Sequence, residues 1–195
     1  MDTTFDALLE QAVAASREAR WGDAQALLAT AGEARPHAPE PHYLRAANFA
    51  ATGDFPAAET EFLACLSRAP HLAIARFQFG LMYMTAGLAD AARAIWEPLV
   101  ATQHPLAAFA RGMLAIAHGD RGQAEAWIRQ GLSTHKDNAP LNADMTALLE
   151  KLVQLDVHGP LPEGPGSGTT QAPTGEPAVE DDASMHLLIA SYTQR

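Results

Sequence analysis

The sequence predicts an all-α protein built as a helix–turn–helix solenoid. An alanine followed four residues on by a large apolar residue recurs as Ala24/Leu28, Ala58/Phe62, Ala92/Trp96 and Ala124/Ile128, and the steps between the alanines are 34, 34 and 32 residues. A period near 34 marks stacked helix pairs. Twelve residues before each of these alanines stands a second small residue: Ala12, Ala46, Gly80 and Gly112. Hydrophobic residues make up 48 % of the 195. Much of that share is alanine, which favours helix and close helix–helix approach.

Each repeat follows one physical plan. Two antiparallel helices cross closely, so small residues are needed on both sides of the crossing, and the large residue one turn on fills the gap beside it. The repeats run over about 5–38, 39–72, 73–106 and 105–138. In the first, Ala19 stands where an inter-helix glycine is expected, with Trp21-Gly22-Asp23 just after it. In the second, Gly53-Asp54-Phe55-Pro56 makes the turn. Asp54 is placed to cap the following helix, and Pro56 sits in its first turn, where a missing N–H costs little. Gly87 and Gly119-Asp120 mark the same turn in the third and fourth. Pro36 and Pro70 close the second helices of the first two repeats, whereas Pro105 comes one place late and the fourth repeat has Lys136 there. Pro98 lies inside the second helix of the third repeat and is expected to kink it or end it early. Residues 139–155 form one further helix, with Leu141, Met145, Leu148, Leu149 and Leu152 at helical spacing and Asn142, Asp144, Glu150, Lys151 and Gln154 on other faces. This suits the capping element that such an array needs.

The third repeat is the clearest: Phe79-Gly80-x2-Tyr83, Gly87 and Ala92-x3-Trp96. This pattern resembles the tetratricopeptide repeat family. The resemblance covers four repeats over residues 5–138. It implies a right-handed superhelix whose first helices line a concave groove that holds a protein or peptide. Projected onto this chain, the lining residues are Leu9 and Val13, then Tyr43 and Ala47, then Phe77, Leu81 and Met84, then Phe109, Met113 and Ile116. The set is apolar and suits an amphipathic helix or apolar peptide. Family members that grip a C-terminal carboxylate carry Lys, Arg and Asn at such positions; their absence here argues against that ligand. The resemblance therefore implies a non-enzymatic adaptor. Two alternatives are a chaperone of secreted translocator-type proteins and a structural subunit of a larger bacterial assembly, attached through the C-terminal helix.

The composition changes after the array. Residues 156–183 are rich in Gly and Pro and read as a flexible linker. Residues 184–195 follow as a short amphipathic segment in which Met185, Leu188, Ile189 and Tyr192 fall at i, i+3, i+4 and i+7. An apolar stripe outside the repeats needs a surface to cover it. The expectation is docking of residues 184–193 on this chain's own groove, on a second copy or on another protein.

The net charge is −10, which argues against nucleic acid or an anionic membrane as partner, because both call for clustered Lys and Arg. No run is long and apolar enough to insert in a membrane. The first residues lack a secretory pattern, so the expected location is cytoplasmic. The lone cysteine, Cys65, occupies a small-residue position and reads as a buried thiol. His37, His71, His104 and His135 recur near the repeat junctions and read as polar filling of turns. No catalytic, metal or cofactor set is expected, and Gly164-Pro165-Gly166-Ser167-Gly168 lacks the Lys-Ser/Thr ending of a phosphate loop.

Overall fold

The computed structural model describes residues 3–157. Within them the chain forms nine α-helices: α1 (Thr3–Arg17), α2 (Trp21–Ala34), α3 (Glu40–Ala51), α4 (Phe55–Arg68), α5 (Ala73–Thr85), α6 (Ala89–Val100), α7 (Pro105–Ala117), α8 (Arg121–Thr134) and α9 (Ala139–Val157). No strand occurs among the described residues. The most extensive packing is within the consecutive pairs α1/α2, α3/α4, α5/α6 and α7/α8, and successive pairs meet more loosely. Among the described residues no helix is long and apolar enough to cross a membrane.

The sequence period sets the helix bounds. The even-numbered helices of the four pairs each begin three residues before Ala24, Ala58, Ala92 or Ala124. The odd-numbered ones each end five residues after Ala12, Ala46, Gly80 or Gly112. Between the two helices of a pair, the chain turns through a residue with positive φ: Ala19 at 55°, Gly53 at 78°, Gly87 at 73° and Gly119 at 73°. One backbone bond repeats at all four turns. Arg20 N donates to Ala15 O at 2.8 Å, Asp54 N to Phe49 O at 2.9 Å, Leu88 N to Tyr83 O at 2.9 Å and Asp120 N to Ala115 O at 2.9 Å. This is the six-residue closure that ends a helix with a left-handed residue.

The helix starts are uneven. Asp54 accepts from Ala57 N at 3.2 Å and Asp120 from Gln123 N at 3.0 Å, so both cap as their spacing predicts. Arg20 and Leu88 stand at the corresponding sites without a side-chain cap. Pro98 shortens α6: that helix ends at Val100, eight residues past Ala92, whereas α2, α4 and α8 run ten residues past their alanines. A proline removes a helical N–H and crowds the preceding turn. Pro105 does not close α6. It opens α7, with His104 as the N-cap.

Two clusters of buried residues form the core. The first takes α1–α4 and the Phe79 and Met82 side of α5, with Phe62 stacked on Phe79 at 5.1 Å. The second takes Phe77 and Leu81 of the same helix, then α6–α9. Leu141, Met145, Leu149 and Leu152 of α9 are buried in that second cluster, and Leu148 packs against it half-buried.

Candidate functional site

The ten residues expected to line a groove fall into two groups. Leu9, Val13, Tyr43, Ala47, Phe77, Leu81 and Phe109 are buried, while Met84, Met113 and Ile116 are half-buried. Residues at i, i+4 and i+7 share one helix face. On α5 that face reads Phe77, Leu81, Met84, and on α7 it reads Phe109, Met113, Ile116. Burial falls along both toward the C-terminal end. In α1 and α3 the matching last-turn residues, Ser16 and Ala50, are small and buried. Of these four helices, the face opens on α5 and α7.

The closed end is filled by the chain's own rings. Phe77 stacks on Trp96 at 5.8 Å, and the indole Nε1 donates to Phe77 O at 2.9 Å. Phe77 also meets Phe109 at 6.4 Å, and Phe109 meets the edge of His135 at 5.6 Å. Glycines make room for these rings. A methyl at Gly80 would overlap the Trp96 indole, and one at Gly131 would overlap the Phe109 ring. Earlier in the array the Tyr43 hydroxyl donates to buried Gln78 at 3.0 Å, tying α3 to α5. A carboxylate at fully buried Phe77 would therefore break the core, whereas one at half-buried Met113 would fall at the more open end, where it packs against the edge of the core.

Several polar contacts lie outside anything the sequence reading assigned. Glu61 is buried and accepts from Arg45 at 2.9 Å, and its other oxygen meets His42 at 2.7 Å. In the fourth pair the guanidinium of Arg111 lies 4.8 Å from the Trp127 ring. Arg45/Glu61 and Arg111/Trp127 share the sequence offset that relates Ala46/Phe62 and Gly112/Ile128, so the period held the signal. The cleft beside Arg45, about 360 Å³, lies between α2, α3 and α4 and carries Glu33, His42, Arg45 and Arg68. Its charges are of both signs, and Arg68 is engaged with Pro36 O at 3.1 Å and Ala64 O at 2.8 Å. It is a polar seam between pairs, and none of its lining residues belongs to α5 or α7.

The four junction histidines do different work. His37 and His71 are exposed. His104 Nδ1 accepts from Leu106 N at 3.2 Å, and burial, then the neighbouring His135, pull its pKa below the ordinary imidazole value, with Asp137 opposing. His135 is buried and donates from Nδ1 to Asn142 Oδ1 at 2.8 Å, while Asn142 Nδ2 donates back to His135 O at 3.0 Å. That reciprocal pair anchors α9 on the end of α8. Among the described residues no three His, Cys, Asp or Glu side chains are placed to hold one metal ion. Cys65 is buried, and burial, then Glu40, push its thiol up to about 12. A thiol so far from ionisation is a packing group. Met185, Leu188, Ile189 and Tyr192 lie outside the described residues.

These contacts define an all-α array of packed helix pairs with one partly open apolar face. No protein-family model and no curated protein matches the chain.

Proposed function

We propose that this chain is a tetratricopeptide-like, non-enzymatic interaction module that binds an apolar peptide or amphipathic helix at the open end of the α5/α7 face. The observation that carries this reading is the graded burial along that face, which leaves Met84, Met113 and Ile116 accessible over a floor of Leu81, Phe77 and Phe109. Unbranched, polarisable Met side chains adapt to ligands of varied shape. The rigid rings below hold the two helices in register, so binding need not reorganise the core. The net charge of −10 keeps nucleic acid and anionic membrane outside this reading, and a cytoplasmic setting suits it.

The test is an anisotropy titration with a fluorescein-labelled amphipathic peptide carrying leucines at i, i+3, i+4 and i+7. It is run on the full chain and on its Leu188→Asp/Ile189→Asp variant, which lacks the apolar stripe of the C-terminal segment. Saturable binding is expected, and Met113→Asp weakens it at least about tenfold, equal to about 1.4 kcal/mol. Absence of saturable binding in both chains, or binding indifferent to Met113→Asp, would overturn the proposal. If the module instead serves as a holding chaperone, many unrelated apolar peptides bind with similar strength.

A further inference from the structure

We infer that Met84 and Met113 form a redox-modification site: a hydroperoxide converts their thioethers to sulfoxides, which turns the open end of the α5/α7 face polar and releases its apolar partner. This rests on the interaction site proposed above and names its regulation. The chain carries six methionines, and four of them, Met82, Met84, Met113 and Met145, fall within the described residues. Burial divides the four. Met82 is 3 % exposed and Met145 2 %, whereas Met84 and Met113 are half-buried. Met82 and Met84 stand two residues apart on α5, about 200° round the helix axis from each other. Met82 accordingly belongs to the first core cluster, and Met84 packs at the edge of the second. Among the described residues, the methionines that solvent reaches are the two on the α5/α7 face, carried by helices that pack together. The repeat does not call for sulfur there. At the place of Met84 the other pairs have Ser16, Ala50 and Ile116, and at the place of Met113 they have Val13, Ala47 and Leu81.

The chemistry asks for access to the thioether and nothing more from the protein. A lone pair on Sδ attacks one peroxide oxygen, and the S–O bond forms as the O–O bond breaks. The hydroxide released takes the proton from the sulfur-bound oxygen and leaves as water. Sulfur gives up two electrons and the peroxide accepts them. The product is a polar, chiral side chain in place of an apolar one. Its S–O dipole accepts hydrogen bonds that water supplies in the free chain and an apolar ligand does not. Half-burial matters twice. It admits the oxidant, and it lets the sulfoxide oxygen face water without opening the core. At Met82 or Met145 the same group would be sealed inside an apolar cluster. Reversal takes two electrons from a dithiol, which becomes a disulfide as the oxygen departs in water.

The experiment treats the full chain and its Met84→Leu/Met113→Leu variant, a volume-conserving exchange, with hydrogen peroxide and follows each methionine by mass spectrometry. Met82 and Met84 share the tryptic peptide 77–93, in which fragment ions separate them. Met84 and Met113 should oxidise at least about tenfold faster than Met82 and Met145, with helix content by circular dichroism unchanged. The amphipathic peptide of the assay above should bind the oxidised full chain at least about tenfold more weakly, and sulfoxide reductases driven by a dithiol should restore its binding. The Leu variant is compared only with itself, and its affinity should be the same before and after peroxide. That variant keeps Met1 and Met185, so equal losses in the two chains overturn the inference. Equal oxidation rates at all four methionines, or loss of helix together with binding, also overturn it. Binding that survives oxidation of both sulfurs overturns this switch and leaves the interaction site standing. Failure of the untreated chain to bind removes the interaction site and the switch with it, while the rate order still reports which sulfurs are open.

Discussion

The first two helix pairs and the last two share one period but not one packing. In the first half the small residues of the repeating pattern are Ala12 and Ala46 and the large ones Leu28 and Phe62, all buried, and Leu9, Val13, Tyr43 and Ala47 of α1 and α3 are buried as well. In the second half glycine replaces alanine, at Gly80 and Gly112, and the residue opposite Gly80 grows to Trp96. Rings then fill one end of the α5/α7 face, while Met84, Met113 and Ile116 leave the other end partly open. Moving volume from the crossing's small partner to its large one keeps the helix step while changing what the surface offers. Stability and accessibility are set by the same few positions.

The largest expected effect tests that exchange of volume. Gly80→Ala forces the added methyl into the buried Trp96 ring and should cost roughly 1–3 kcal/mol of unfolding free energy. Trp96→Phe alone leaves a void and should also destabilise. The double variant recreates the Ala46/Phe62 pairing, so urea unfolding should show it clearly more stable than the two losses added together. Additive losses would mean that the two positions are not coupled.

Smaller effects come from the uneven helix starts. Asp54→Ala and Asp120→Ala should each cost about 1 kcal/mol by removing a cap. Leu88→Asp, at an exposed N-cap without a side-chain bond, should gain a comparable amount. Ala19→Gly should be stabilising by up to about 1 kcal/mol, because Ala19 holds φ at 55° where its three counterparts are glycine. Thermal unfolding ranks all four.

The smallest effect is a pH dependence. The folded pKa of His104 lies below the unfolded value near 6.5. The unfolded chain therefore binds more protons between those two values. The stability from this group is complete above pH 6.5 and is lost as pH falls from there toward the folded pKa. His104→Asn keeps a capping side chain and should flatten that part of the stability–pH curve.

Much of this was legible in the sequence because the period is a packing rule. Ala24, Ala58, Ala92 and Ala124 fixed where helices start, and Gly53, Gly87 and Gly119 fixed where they turn. The sequence also predicted Asp54 as a cap, and of the two outcomes it left open at Pro98, a kink or an early end, α6 shows the early end. Less legible was the division of the α5/α7 face. Phe77, Leu81, Met84 and Phe109, Met113, Ile116 share one spacing, and only three-dimensional packing against Trp96 and His135 decides which are covered. The His135–Asn142 pair was missed because Asn142 sits on what looked like the polar side of α9. The polar pair of Arg45 with Glu61 was not legible because the repeating pattern is carried by small and apolar residues.

The most direct test of the central claim maps the model peptide onto Met and Ile methyls of the full-length Leu188→Asp/Ile189→Asp chain. The account predicts saturable shifts at Met84, Met113 and Ile116, with Met82, Ile95 and Ile128 still. Shifts confined to the second set, or none at saturating peptide, would contradict it.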